Sequence, residues 1–222
     1  MTGYGVQVSQ MAPRCRACTL CACPPSSCCA RPANDVASRR LIADNDALEV
    51  NIEMLVRPAA SSDLDAINEI YNDAVLHTAA TFQIAAVTME ERRAWLKDHP
   101  EKLYPALVAE IDGMVAGWGS LSRYATRCAY KHTAEDSIYV ARRFRRMGIG
   151  SLLLARLIDA AVTAGHHSLI AQIADNNPGS IRLHEKHGFV MAGQLREVGW
   201  KFGRWLDITV MQKTMEELKI KN

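Results

Sequence analysis

Arg142-Arg143-Phe144-Arg145-Arg146-Met147-Gly148-Ile149-Gly150-Ser151 gathers four arginines and two glycines between two strongly patterned segments. Just before it, Ser137 to Val140 reads as a strand. Just after it, Leu152, Leu153, Leu154, Leu157, Ile158 and Ala161 give a helix with a broad apolar face, closed by Gly165. Glycines between a strand and a helix let the backbone turn tightly and present successive N–H groups at the helix start, where the macrodipole favours an anion. Arg145 and Arg146 add charge, so Arg145, Arg146, Gly148, Ile149, Gly150 and Ser151 form a candidate cradle for a pyrophosphate. The bland alternative is a basic loop with a glycine turn. The stretch lacks the Gly-Lys-Ser/Thr ending of a P-loop and the three-glycine dinucleotide fingerprint, which disfavours nucleotide hydrolysis and hydride transfer.

Toward the N-terminus, Leu55-Val56-Arg57 reads as a strand, and Ser62-x-x-Asp65 as a helix start ahead of Leu64, Ile67, Tyr71 and Val75 at helical spacing. Thr88-x-x-Glu91 opens a second helix containing Trp95 and Leu96, with Pro100 just beyond its end. Ala106 to Ala109 and Met114 to Gly119 flank Asp112-Gly113, the pattern of an antiparallel hairpin. Leu169 to Ile173 is a further strand, Ser180 to His187 a helix ended by Gly188, and Phe189 to Ala192 with Leu206 to Met211 supply the last strands. The architecture is α/β with a mixed sheet.

Hydrophobic residues make up 49% of the 222-residue chain, enough to bury one enzyme-sized core. The 26 Lys plus Arg against 24 Asp plus Glu leave a formal charge of +2, too near balance to draw the chain to nucleic acid or a membrane surface. No window is apolar enough for a membrane helix, so a soluble, cytoplasmic protein is expected. Composition shifts near residue 54. Residues 1–53 hold six of the seven cysteines (Cys15, Cys18, Cys21, Cys23, Cys28 and Cys29) with Pro24 and Pro25, and show no sustained helix or strand period. The C-x-x-C-x-x-C-x-C spacing invites a zinc reading, but no histidine follows at finger spacing and Cys28-Cys29 is an unhelpful pair. A disordered extension over 1–53, a folded domain over 54–222 with Met54 as a possible true start, and no metal are the expectations.

Two ordered motifs, Arg145-x-x-Gly148-x-Gly150 and Asn177-x-x-Ser180-Ile181-x-Leu183-His184-x-Lys186-x-Gly188-Phe189, resemble the acetyl-CoA-binding core of the GNAT superfamily of N-acetyltransferases. Tyr130-x-x-Thr133-Ala134-Glu135 and Gly199-x-Lys201-x-Gly203-x-Trp205-x-Asp207 narrow the resemblance to the phosphinothricin and methionine sulfoximine (or sulfone) acetyltransferases. It covers residues 55 to about 215. It implies a mixed, mostly antiparallel sheet with splayed strands, flanked by helices, acetyl-CoA as co-substrate, and a homodimer. The pantetheine arm would lie along Ile138, Tyr139 and Val140, with the Val140 amide or a neighbour at the oxyanion, and Asn177 would hydrogen-bond the arm.

The resemblance also implies roles that chemistry can weigh. An attacking amine must be neutral, and Glu135, read as lying immediately before its strand, is the implied general base, with Asp136 as backup. His184 is the implied proton donor to the leaving thiolate; its alternative is a helix-surface histidine packing on the cofactor arm. Ser180 reads as the N-cap of its helix, and with Asn177 it is counted among the implied cofactor-binding residues. Arg127 and Tyr130 are expected to clamp an α-carboxylate, and Phe82 to line the acceptor pocket, with a core Phe as the alternative. Lys201 and Trp205 carry the plain readings of an exposed turn lysine and a packed aromatic. The expected reaction is acetylation of a small amino-acid-like amine. A GNAT protein acting on a peptide or protein amine is the enzyme alternative, and an acetyl-CoA-binding module without turnover is the other; Glu135 and His184 argue against the latter.

Overall fold

The computed structural model describes the backbone of residues 35–41 and 50–215 and the side chains of residues 54–215. In chain order the elements are β1 (Asp35–Leu41), β2 (Val50–Pro58), α1 (Leu64–His77), α2 (Met89–Lys97), β3 (Ala106–Ile111), β4 (Met114–Arg123), β5 (Thr133–Val140), α3 (Ile149–Thr163), β6 (Ser168–Ala174), α4 (Pro178–Lys186), β7 (Val190–Lys201) and β8 (Arg204–Thr214). The strands form one sheet in the order β1-β2-β3-β4-β5-β6-β8-β7, antiparallel throughout except for β5 against β6. This is the mixed, mostly antiparallel sheet expected.

The turn and cap signals account for much of the layout. Asp112 and Gly113 take φ of 49° and 75° and close the β3–β4 hairpin. Thr88 and Glu91 form the expected capping box, the Glu91 carboxylate accepting the Thr88 N–H at 2.8 Å. At α1 the box differs from the sequence reading. Asp63, and not Asp65, reaches back to the Ala60 N–H at 2.7 Å and pairs with Arg57 at 2.7 Å. Asp63 is buried where the Arg57 fork can meet it, whereas Asp65 is exposed.

Two cores flank the sheet. Leu153, Leu154, Leu157 and Ala161 of α3 pack with Leu121, Ala134, Leu169 and Met211 on one face, and α4 joins them through Ile181 and Leu183. On the other face, Ile67 and Ile70 of α1 pack on Val108 and Trp118. The buried Arg92 of α2 lies over the rings of Tyr71, Trp95 and Trp118, 4.5 to 5.6 Å from their centroids, a cation–π cage that seats α2 on this face.

Strand limits differ from the sequence reading in three places. β5 starts at Thr133, so Glu135 lies inside the strand and not before it. β7 runs to Lys201, with register shifts against β8 between Met191 and Gly193 and between Leu195 and Gly199, and turns through Phe202 and Gly203, at φ of 52° and 73°, into β8. The first strand of the 54–222 reading starts at Val50, and β1 pairs with it along Asp35–Leu41, so the sheet extends behind the 53/54 boundary. The cysteine cluster lies outside the described residues; Cys128 is exposed.

β3 pairs only with Met54 to Pro58 of β2, so a chain begun at Met54 keeps that whole ladder while losing β1. Its thermal midpoint should fall by no more than about 4 °C, the equivalent of ~1 kcal/mol. A larger drop in a calorimetric scan would make β1 an integral part of the sheet.

Candidate active site

β5 and β6 are bonded only from Thr133–Ser168 to Glu135–Ile170, although β5 continues to Val140 and β6 to Ala174. Beyond Glu135 the two strands part. β5 stays paired with β4 along its length, and the Ala141 N–H reaches the Ala116 carbonyl at 3.0 Å. Alternation along the strand therefore turns the N–H and C=O of Ile138 and Val140 into the gap. A cleft of about 1410 Å³ fills this V, larger than the usual ~300–1,000 Å³ ligand pocket. It is lined from both sides of the sheet, by the Arg145–Leu152 stretch and α4 on one side and by Thr78 to Phe82 and Glu135 on the other.

On the α3 side, the turn before the helix forms an anion nest. Arg146 and Gly148 take φ of 67° and 91°, and Gly148 caps α3 without a side-chain hydrogen bond, leaving the first-turn N–H groups to a ligand. A β-branched residue at Gly148 would be strained at that φ. Gly150 serves packing: a methyl group there would sit 3.3 Å from Leu183 Cδ2, so its absence lets α4 close on α3. The arginines divide their work. Arg142 pairs with Asp73 at 2.8 Å, Arg143 stacks on Phe144, and Arg145 Nε donates to the Val140 carbonyl at 3.3 Å. The Ser151 hydroxyl meets His187 Nε2 at 2.8 Å.

Asn177, and not Ser180, is the N-cap of α4: its Oδ1 accepts the N–H groups of Gly179 and Ser180 at 3.0 and 3.2 Å. Pro178 at the first helical position suits that start, and it leaves Ser180 three positions inside the helix from the cap. Ser180 instead offers its carbonyl to His184 Nδ1 at 2.8 Å. The other ring nitrogen, Nε2, meets Asp136 Oδ2 at 3.0 Å. His184 is buried, at 4% exposure, and is no surface histidine. Against an ionised Asp136 and a carbonyl, which only accept, both ring nitrogens are placed to donate, an arrangement that favours the imidazolium form. Burial opposes that charge, but Asp136 and the Ser180 carbonyl outweigh it and hold His184 above its ordinary value.

Glu135 and Asp136 are sequence neighbours and so point to opposite faces of the sheet. Asp136 joins His184 on the α3–α4 side, while Glu135 shares the α1–α2 side with Ser137 and Tyr139. Burial raises the Glu135 carboxyl above its ordinary value, Asp136 adding to the rise and Gln172 opposing it by donating Nε2–H to Oε2 at 2.8 Å. That hydrogen bond engages Oε2 and not Oε1. Tyr139, expected beside the arm, puts its ring among Tyr71 and Trp118, and burial keeps its phenol protonated. Phe82 lines the cleft; Arg127 and Tyr130 do not. Both sit in the 3-10 turn around Cys128–Tyr130, where Tyr130 is exposed and packs edge-on against Tyr124.

Residues 56–210 match the acetyltransferase (GNAT) domain model. The chain belongs to the GNAT acetyltransferase family. It is 43% identical to the L-methionine sulfoximine/L-methionine sulfone acetyltransferase of Salmonella typhimurium over 164 residues, 74% of this chain and 96% of the relative. It is 40% identical to the phosphinothricin N-acetyltransferase of Streptomyces coelicolor over 73% of this chain and 97% of the relative. Among solved structures, the Salmonella typhimurium protein yncA with its cofactor acetyl-CoA superposes with a TM-score of 0.73 at 41% identity, covering 76% of this chain and 98% of that one.

The nest, the unpaired edge of β5 and the cleft through the sheet fit acetyl-CoA. Gln172 and the Asp136–His184 pairing were missed in the sequence, although Gln172 is the one polar residue in Leu169 to Ile173 and invites a partner. Asp136→Asn removes the carboxylate that holds the imidazolium, so His184 should titrate below its ordinary value of about 6.5, as followed by ring-nitrogen NMR. His184 is raised in the folded state, so its contribution is full below about pH 6.5 and is lost as pH rises through the folded-state value; the variant should lose that dependence.

Proposed function

We propose that this protein transfers the acetyl group of acetyl-CoA to the α-amino group of a small free amino acid of the methionine sulfoximine, methionine sulfone or phosphinothricin type. The names of the relatives support the acceptor class. The observation that carries the chemistry is Glu135, whose carboxyl is raised by burial and stands where the cleft crosses the sheet.

Acetyl-CoA, when bound, supplies an acyl group activated as a thioester. The nest at Arg146 and Gly148 with the side chain of Arg145 would hold its phosphates, and the Ile138 and Val140 backbone its arm. Glu135 Oε1 takes the proton from the acceptor ammonium, and a raised carboxyl is a better match to that proton than an ordinary one. The Val140 N–H, free of β4, can donate to negative charge developing in the gap. His184 contributes a fixed positive charge on the α4 side; both of its protons are already engaged, which favours an electrostatic role over that of a mobile donor.

A base must be deprotonated to act, so the acid limb of kcat/KM should lie above the ordinary glutamate value of about 4.3. Glu135→Gln should remove that limb, lower turnover by roughly 10²–10⁴-fold and be partly rescued at high pH. The same assay run on methionine sulfoximine, methionine sulfone, phosphinothricin and a short peptide should favour the free amino acids. Equal or better turnover of the peptide would sink the small-molecule reading in favour of the peptide alternative.

A homodimer belongs to the same proposal. β7 is a sheet edge, and Leu195, Val198, Trp200 and Trp205 of the β7–β8 hairpin are about half exposed. Such an apolar face calls for a partner, and a second copy is the occupant that the resemblance implies. Trp205 is thus not the packed aromatic of the sequence reading within one chain. Sedimentation should give twice the 24.5 kDa of the chain, and Trp205→Glu should shift it toward monomer.

A further inference from the structure

The C-terminal signature Gly199-x-Lys201 is not used by any step above. Lys201 is the reverse of an exposed turn lysine: its residue exposure is 4%, and no described carboxylate pairs with it. Its ammonium donates to the Thr78 carbonyl at 2.9 Å and to the Thr81 carbonyl at 2.7 Å. A buried ammonium is tolerated only while such acceptors stay in place, so the contact ties the end of α1 to the hairpin. Two residues back on the same strand, Gly199 lies under the Phe82 ring. A methyl group on Gly199 would sit 2.2 Å from Phe82 Cε2 and 2.5 Å from Cδ2, which no ring in this position could accept.

Both residues therefore act on one segment, Thr78 to Phe82, and every residue of that segment lines the cleft on the side of Glu135. Thr81 is braced from within as well, its hydroxyl 3.2 Å from the Tyr71 hydroxyl. We infer that Gly199 and Lys201 are specificity-determining residues: by seating the Phe82 ring against β7 and pinning the Thr78 and Thr81 carbonyls, they set the wall of the acceptor pocket and the size of amino-acid side chain it admits. The inference rests on the reading of that side of the cleft as the acceptor site. It separates the two halves of the site, because none of these atoms belongs to the nest or to the gap-facing edge of β5.

The test compares the parent, Gly199→Ala, Gly199→Ala with Phe82→Leu, and Lys201→Met. Each is assayed for kcat/KM on methionine sulfone, methionine sulfoximine, phosphinothricin and alanine, and for acetyl-CoA affinity by calorimetry. Gly199→Ala should displace the ring, reduce kcat/KM for the preferred acceptor by about 10-fold or more, mainly through KM, and change the order of preference along the series. Acetyl-CoA affinity should stay within about two-fold, since uniform cofactor binding is untouched. Phe82→Leu in the Gly199→Ala background removes the clashing ring atoms and should recover part of the loss, which a general loss of folding would not permit. Lys201→Met should raise KM in the same direction. If the parent acetylates these acceptors and Gly199→Ala leaves their order and kcat/KM unchanged, or if Phe82→Leu relieves nothing, the inference is overturned while the proposed function stands. If the parent acetylates none of them, the functional reading fails and takes this inference with it.

Discussion

β5 and β6 part after Glu135 and Ile170, and the cleft, the nest beside it and the placement of its lining residues all follow from that divergence. A parallel pair that stops bonding while both strands run on leaves backbone donors and acceptors along the opened edges, and these must find partners outside the ladder. β4 keeps β5 in place and β8 keeps β6 in place, so the opening cannot collapse by moving either strand. The gap is thereby a permanent polar slot inside an apolar sheet. The nest before α3 stands at one end of it, and Glu135 stands at the point where it begins.

The splay also explains how one short strand serves two chemistries. Side chains alternate along β5, so Glu135 and Asp136 are forced to opposite faces. On one face Glu135 is raised by burial and held lightly by Gln172, the state of a group that can exchange a proton. On the other, Asp136 and His184 form a buried pair, with both ring nitrogens of His184 hydrogen-bonded within the fold. Only the open gap lets the two environments border one cleft. A continuous sheet would have separated them.

Legibility from the sequence followed the range of the interactions. The Thr88 capping box, the Asp112-Gly113 turn and the glycine turn before α3 are settled by residues within a few positions of each other, and each was read in its place. The α4 cap was read three residues late because Asn177 and Ser180 are both good caps, and the φ demanded by Pro178 decides between them. Glu135 was placed just outside β5 because the extent of a strand depends on its neighbours, here Ser122 and Ile170, and neither is near in sequence. The long β7 escaped notice for a related reason: its residues are mostly exposed, so no buried period marks them.

Lys201 and Trp205 show where sequence reasoning stops. By type alone a lysine belongs outside and a tryptophan inside, and the structure reverses both. Burial of Lys201 becomes tolerable only because the end of α1, more than a hundred residues away in the chain, brings two carbonyls to its ammonium. By itself the sequence determined the family, the order of the main elements and the position of the cradle, because periodicity, turns and caps are local. The tertiary structure alone decided the partners of Glu135, His184 and Lys201, the side of the sheet each one faces, and the exclusion of Arg127 and Tyr130 from the cleft lining. Those outcomes depend on strand register and on packing across the sheet, where a contact is defined by two distant segments and neither one carries it in its own residues.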